Sequence, residues 1–394
     1  MTPLSPVAVT GVGCLCGAGP TLPDCMSTLF AGVQRCRPPT RFSSSGSHPV
    51  FELPDPFFDP TGCRLSPPPS RTLRMALAAA REAIEDAGLT RSDLTGRRVG
   101  VCVGTNVGGA ATETDDPTSP GQSYLEPARR FVTTSPAVAI AREYDLTGPL
   151  ATTVTACSAG SDAIGLAAAW IRNGLCDLAI AGGADELYEI TYNGFISLMN
   201  TDDGPCRPFD ARRNGLNLGE GAAMMVLAPD DSEIRNLRGR ILGYGNASDA
   251  YHLTAPAPDG RGLRLAVNEA VQAAGIDSAD LAFINAHGTG TRDNDAIEAE
   301  LFAERFPGVP FLSTKGYTGH TLGAAGAVEA AFTLACLAAG RIPASAGFME
   351  RDPDLPAAPV HRVTPISGAV ALSQTLAFGG SNAVLVLGGA EAGA

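Results

Sequence analysis

LATTVTACSAGSDAIGLAAAWIRNGLCDLAIAGG, residues 150–183, decides the fold. Leu150–Ala156 alternates polar and apolar residues as a half-buried strand does. Ser158–Asn173 is rich in Ala and reads as a helix. Asp177–Gly183 is a short apolar run, the pattern of a strand covered on both faces. Cys157 falls at the junction of the first strand with the helix.

The same alternation extends outward. Val7–Gly13 is a short β-type run, Leu73–Gly88 an amphipathic helix closed by Gly88, and Arg98–Gly104 a buried strand. Residues 37–70 are rich in Pro and Ser, with a triple Pro at 67–69, and read as a surface excursion rather than a core element. Residues 112–122 form an acidic loop. Downstream, Ile241–Asn246 is a strand, Gly262–Ala274 a helix, Leu281–Ala286 a strand ending at His287, and Asp293–Arg305 a helix. Leu322–Ala339 is a further helix, and Gln374–Asn382 a Gly-rich turn into the strand Ala383–Gly388. Strands alternating with helices in both parts indicate an α/β architecture with covered sheets. Each part starts with a short strand and places reactive residues at strand ends, which suggests an internal duplication. The boundary is expected near residue 235, after the polar segment Pro229–Glu233, giving halves 1–235 and 236–394.

Composition excludes several functions. The 394 residues include 44% apolar and 18% charged residues, enough for a large core. The net charge is −13 and Lys/Arg runs do not exceed two, so nucleic acid is not an expected partner. The ten cysteines include no CxxC pair and no zinc-type Cys/His spacing, so no metal is expected. Met1–Pro20 lacks the basic start of a signal peptide, which points to a reducing cytoplasm with free thiols. Thr321–Gly340 is weakly polar but contains Glu329 and many Gly and Ala, the pattern of a buried helix rather than a membrane span.

Four segments carry chemistry. Cys157 at a helix start faces unpaired N–H groups and the positive end of the helix dipole, so its thiolate is favoured and a pKa near ~8.5 is expected to fall. The competing reading is a buried structural cysteine. His287 stands at a strand end before Gly-Thr-Gly-Thr, where exposed backbone and the hydroxyls of Thr289 and Thr291 suit a polar ligand. Lys315 and His320 lie five residues apart before a helix start made of small residues, and Lys315 calls for a carboxylate such as Glu298 or Asp295. Phe378 before Gly379-Gly380 reads as a gate, an oxyanion donor or a plain turn into the last strand. A thiol, two histidines and a lysine suit acyl-thioester chemistry. The thiolate takes an acyl group, backbone N–H groups hold the oxyanion, and two neutral imidazoles steady an enolate formed by loss of CO2.

VAVTGVG (7–13), TACSAGSDAIG (155–165), RPFDARRNGLNLGEGAA (207–223), NAHGTGTRDND (285–295), STKGYTGHTLGAAGAVEA (313–330) and FGGSNA (378–383) occur in this order along nearly the whole chain. Together they resemble the β-ketoacyl-[acyl carrier protein] synthases of the elongating type. The resemblance implies a thiolase-like α/β fold, a five-layered αβαβα sandwich of two similar halves, working as a homodimer or a heterodimer with a homologue. It implies Cys157 as acyl-accepting nucleophile, His287 and His320 as the decarboxylating pair, and Lys315, partnered by Glu298, as the group that polarises the site. Thr289 and Thr291 would contact the phosphopantetheine arm of an acyl carrier protein. Phe378 would be gate and oxyanion donor, with Gly379 and Gly380 lining the substrate path. No bound cofactor is implied. The usual basic carrier-docking helix start is replaced by PPPSRTLR (67–74), leaving Arg71 and Arg74, with Arg64, Arg129 and Arg130, as docking candidates. The implied activity is condensation of a Cys-bound acyl group with malonyl-carrier in fatty acid, polyketide or aryl-polyene-type synthesis. The alternatives are a catalytically reduced chain-length-setting partner, a coenzyme A-dependent thiolase or initiating synthase, and a non-enzymatic acyl-binding protein.

Overall fold

Apolar runs become the strands of a mixed sheet, and Ala-rich stretches become the helices that cover it. The computed structural model describes residues 3–42, 48–54, 70–108, 135–231 and 236–392. The strands are β1 (Val7–Cys16), β2 (Val99–Gly104), β3 (Leu150–Thr153), β4 (Leu178–Asp185), β5 (Gly221–Pro229), β6 (Gly239–Ser248), β7 (Leu281–Asn285), β8 (Phe311–Leu312), β9 (Arg341–Ile342), β10 (Thr364–Pro365), β11 (Val370–Leu376) and β12 (Ser381–Gly388). Their order is β3-β2-β4-β5-β1-β6-β12-β11-β7-β8, with β9 and β10 forming a separate ribbon. Pairing senses mirror one another from the two ends. β3–β2–β4 and β8–β7–β11 are parallel, while β4–β5–β1 and β11–β12–β6 are antiparallel. The two five-strand sets meet at β1 and β6, where Val7–Val9 pairs with Gly239–Ile241.

Besides two single-turn helices, Arg91–Leu94 and Lys315–Thr318, the helices among the described residues are α1 (Leu22–Phe30), α2 (Arg71–Asp86), α3 (Pro136–Tyr144), α4 (Ala159–Arg172), α5 (Glu189–Ser197), α6 (Arg261–Ala274), α7 (Arg292–Arg305) and α8 (Ala325–Ala339). Residues of α2 and α3, such as Leu77, Ile84 and Ile140, close one core against Val101 and Met224. Residues of α6 and α7, such as Val267 and Phe302, close another against Ile284 and Val384. Between the two strand sets lie α4 and α8, with Ile164, Ala168, Val328 and Phe332 in a shared core. The layers therefore run helix, sheet, helix, sheet, helix. The stretch Leu322–Ala339 is apolar and long enough to cross a membrane, but it is mostly buried in this central layer.

The two central helices begin alike. Each follows a single 3₁₀ turn, Ala156–Ser158 before α4 and Leu322–Ala324 before α8. Each turn opens on a non-glycine residue with left-handed backbone, Ala156 at φ 53° and Leu322 at φ 54°, a conformation that costs about 1–3 kcal/mol and persists only where surrounding contacts hold it. The turns meet over Gly183 of β4, where an added Cβ would lie 2.7 Å from the Gly323 carbonyl oxygen and 3.2 Å from the Gly160 Cα.

Several elements differ from the sequence reading. The strand from Leu150 stops at Thr153, because the chain turns to present Cys157. The turn expected over Gln374–Asn382 is shorter, since Gln374–Leu376 completes β11 and β12 starts at Ser381. β5 and the rest of β11, and helices α1, α3 and α5, had no sequence assignment. The Ala- and Met-rich run of β5 has weak strand propensity, and its partners β1 and β4 on either side make it a strand. Within the proline-rich excursion Val50, Phe51 and Leu53 are buried, and the Phe51 N–H donates to the Leu218 carbonyl at 2.9 Å. That part is core after all. The triple Pro at 67–69, the acidic loop 112–122 and residue 235 lie outside the described residues.

Gly183→Ala inserts a methyl group where backbone from both central turns converges. It is expected to destabilise the protein by about 1–3 kcal/mol, read as the shift in a urea unfolding curve. Wild-type stability would contradict the close approach.

Candidate active site

The turn that breaks β3 from α4 holds Cys157, which is 5% exposed. The backbone N–H groups of Phe378 and of Cys157 itself favour the thiolate, as does the charge of Lys315, while the charge of Asp185 opposes it. Burial is the larger effect and pushes the thiol up to about 11. The expected fall in pKa is therefore reversed, because the sequence shows the helix end but not the depth of the pocket.

Cys157, His287, His320 and Phe378 line one cavity of about 370 Å³, together with Thr289 and Thr291. The Phe378 ring stacks on Phe195 of α5 at 5.4 Å and 16°. The Thr289 and Thr291 hydroxyls are 2.8 Å apart. Gly379 and Gly380 stand behind Phe378, and their N–H groups are spent on the Leu253 and Ala377 carbonyls at 2.7 and 3.0 Å. They support the turn and do not line the cavity.

The two imidazoles sit edge to face at 5.3 Å. The Leu322 N–H donates to His320 Nδ1 at 3.1 Å. The Lys315 ammonium donates to His287 Nδ1 at 3.0 Å and to the His287 carbonyl at 2.5 Å. An ammonium has no lone pair to accept with, so His287 Nδ1 is bare. In both rings the proton is thereby assigned to Nε2. Burial, reinforced by the Lys315 charge and in His287 also by His320, holds both rings well below the usual histidine range. The site contains two neutral imidazoles, each with one N–H to donate.

Lys315 is 1% exposed. Its carboxylate partner is Glu329 of α8, not Glu298 or Asp295. Glu298 is fully engaged elsewhere. It accepts from the His287 and Gly288 N–H groups at 2.7 Å each, from Gln374 Nε2 at 2.7 Å and from Asn294 Nδ2 at 2.8 Å. Asp295 accepts from the N–H groups of Phe209, Thr289 and Gly290. Burial raises Glu298 and Glu329 to about 7, with Lys315 opposing the shift at Glu329. Glu329 had a sequence signal, as the lone charge in an apolar helix. Asp185 was also missed. It is buried and receives the N–H groups of Asn106, Val107 and Gly323, tying β4 to the start of the second turn.

Among the docking candidates, Arg71 is overturned. It is 2% exposed and its guanidinium is forked onto Glu220, with Nε and Nη2 at 2.9 and 2.6 Å from the two oxygens. A buried ion pair of this kind belongs to the core. Arg74 is half-buried, and Arg64, Arg129 and Arg130 lie outside the described residues.

Family sequence models described as "Beta-ketoacyl synthase, N-terminal domain" and "Beta-ketoacyl synthase, C-terminal domain" match residues 4–232 and 238–349. The chain is 34% identical to a 3-oxoacyl-[acyl-carrier-protein] synthase 2 of Synechocystis, across 96% of this chain and 97% of that protein. It is 32% identical to the protein of the same name from Staphylococcus aureus, across 96% and 97%. Among solved structures, the ishigamide ketosynthase/chain length factor aligns with a TM-score of 0.89 at 32% identity, covering 98% of this chain and 99% of that one. A ketosynthase (ApeO) in complex with its chain length factor (ApeC) from Xenorhabdus doucetiae aligns with a TM-score of 0.84 at 31% identity, covering 98% of each chain.

A double-mutant cycle tests the lysine's partner. Lys315→Met and Glu329→Gln are expected to couple by at least about 1.5 kcal/mol in unfolding free energy. The cycle of Lys315→Met with Glu298→Gln should give a smaller coupling. The reverse ranking would restore Glu298 as the partner.

Proposed function

The chain belongs to the β-ketoacyl synthase family, and from that premise we propose how its residues divide the reaction. Its layered architecture is the thiolase-type fold of the ketosynthases it resembles, and its activity is that of a condensing acyltransferase, a β-ketoacyl-[acyl carrier protein] synthase.

In the proposed first half-reaction Cys157 sulphur attacks the thioester carbonyl of an acyl group delivered on carrier phosphopantetheine. The N–H groups of Cys157 and Phe378 hold the tetrahedral oxyanion. The carrier thiolate leaves with the proton of the cysteine, and an acyl-Cys157 thioester remains. Thr289 and Thr291 bind the arm through their hydroxyls. In the second half-reaction a malonyl-carrier thioester enters the same cavity. His287 and His320 donate Nε2–H to its thioester carbonyl, its carboxylate leaves as CO2, and the electron pair forms an enolate. The enolate carbon attacks the acyl-Cys157 carbonyl and expels the Cys157 sulphur. The observation that carries this reading is the hydrogen bond into each Nδ1, from Lys315 and from Leu322, which leaves two neutral donors and neither imidazole free to act as a base. Loss of CO2 makes the carbanion without one.

The boundary between the halves is proposed near residue 235. The mirrored strand order and the gap between the two family matches, 232 to 238, support it. The chain is proposed to act as a dimer in the cytoplasm, either with itself or as the active half of a pair with a homologue. The complete Cys–His–His set argues against the chain-length-setting role, and the pairing with a homologue is supported by two similar structures in which a ketosynthase occurs with a chain length factor.

Incubation with acyl-carrier proteins and intact-mass analysis tests the assignment. Wild type should gain one acyl group and Cys157→Ala none. His320→Ala should still be acylated while condensation falls at least about 100-fold. Condensation by His320→Ala at the wild-type rate would remove the second histidine from the mechanism.

A further inference from the structure

The carboxylate of Asp162, one turn beyond Cys157 in α4, is 6% exposed and has its hydrogen-bonding capacity filled. One oxygen accepts from the Thr155 hydroxyl and, at 2.9 Å, from the Ser158 hydroxyl. The other accepts from the Tyr244 hydroxyl at 2.7 Å and from Asn246 Nδ2 at 2.8 Å, both on β6. Thr155 and Ser158 flank the left-handed Ala156 and Cys157, so the carboxylate grips both ends of the strained turn. The grip reaches further. The Ser158 Oγ is 3.1 Å from that of Ser381, whose carbonyl accepts the Ala377 N–H at 2.7 Å and so closes the turn that carries Phe378. The Tyr244 ring fits because residue 165 is Gly, where a Cβ would fall 2.5 Å from the ring.

We propose that Asp162 is a positioning residue that holds the two oxyanion donors, the Cys157 and Phe378 N–H groups, in register for acyl transfer. The inference rests on the proposed nucleophile and extends it. Each donor belongs to a separate turn, one leaving β3 and one leaving β11, and the hydrogen-bonded chain through Asp162, Ser158 and Ser381 ties the two turns to each other and to β6. An Asn at 162 keeps the shape but presents an NH2 to two of the donors, which breaks half of the grip.

The test separates a reaction that uses the oxyanion hole from one that does not. Acylation of Cys157 by an acyl-carrier thioester needs both donors for its oxyanion; displacement of iodide from iodoacetamide by the same sulphur forms no oxyanion and depends on them only through the thiolate. In Asp162→Asn, acylation followed by intact mass is expected to slow about 10–100-fold. Alkylation of Cys157, followed by peptide mass from pH 7 to 10, should fall far less than acylation, within about threefold at pH 10, with a profile displaced, if at all, to higher pH, because the same N–H groups favour the thiolate. Equal loss of both reactions would make the role merely structural and overturn the proposal. So would unchanged acylation, or an alkylation profile displaced to lower pH, which would make Asp162 a simple electrostatic neighbour. If Asp162→Asn fails to fold, Ser158→Ala and Tyr244→Phe each remove one donor and should show the same selective loss, smaller in size; wild-type acylation in both overturns the proposal. A wild-type protein that forms no adduct at Cys157 would instead refute the nucleophile assignment.

Discussion

The Lys315 ammonium, buried and forked between the His287 ring, the His287 carbonyl and Glu329, is the constraint on which the site depends. A cation this deep persists only with a carboxylate and full hydrogen bonding. The bond into His287 Nδ1 then fixes where that ring carries its proton. The positive charge also opposes protonation of both imidazoles and favours the Cys157 thiolate. One charge thus acts in the same direction on the Cys157 thiol and on the two imidazoles, without lining the cavity itself.

The surrounding architecture delivers these groups from both strand sets. Cys157 arrives on the turn into α4, and His320 and the Leu322 N–H arrive on the matching turn into α8. The two turns approach so closely over Gly183 and Gly160 that side chains larger than a hydrogen atom are excluded there. Close packing fixes the distance between Cys157 and His320 more rigidly than surface loops would. The run of small residues that makes the sequence look unremarkable is what allows this approach.

Much of this was legible in advance because it is local. A thiol between a strand and an Ala-rich helix, a His before Gly-Thr-Gly-Thr, and a Lys five residues before a second His are all continuous in sequence. What could not be read depends on which distant groups meet. Glu298 and Glu329 were equally available to Lys315 by type, and the choice was made by the His287 and Gly288 N–H groups, which claim Glu298 once β7 meets α7. Cys157 shares its cavity with Phe195 and Phe378, 38 and 221 residues downstream (195 − 157 and 378 − 157), so burial outweighing the helix dipole was not visible. Arg71 looked like a surface cation until Glu220, 149 positions away, took it inside.

The central claim is that both site histidines are neutral and protonated on Nε2. It is tested most directly by ¹⁵N NMR of the protein labelled at its five histidines, with His287→Gln and His320→Gln used for assignment. The account predicts that both rings show a protonated Nε2 and a bare Nδ1, unchanged between about pH 6 and 8. A ring protonated on Nδ1, or one that titrates near the ordinary histidine value, would contradict it.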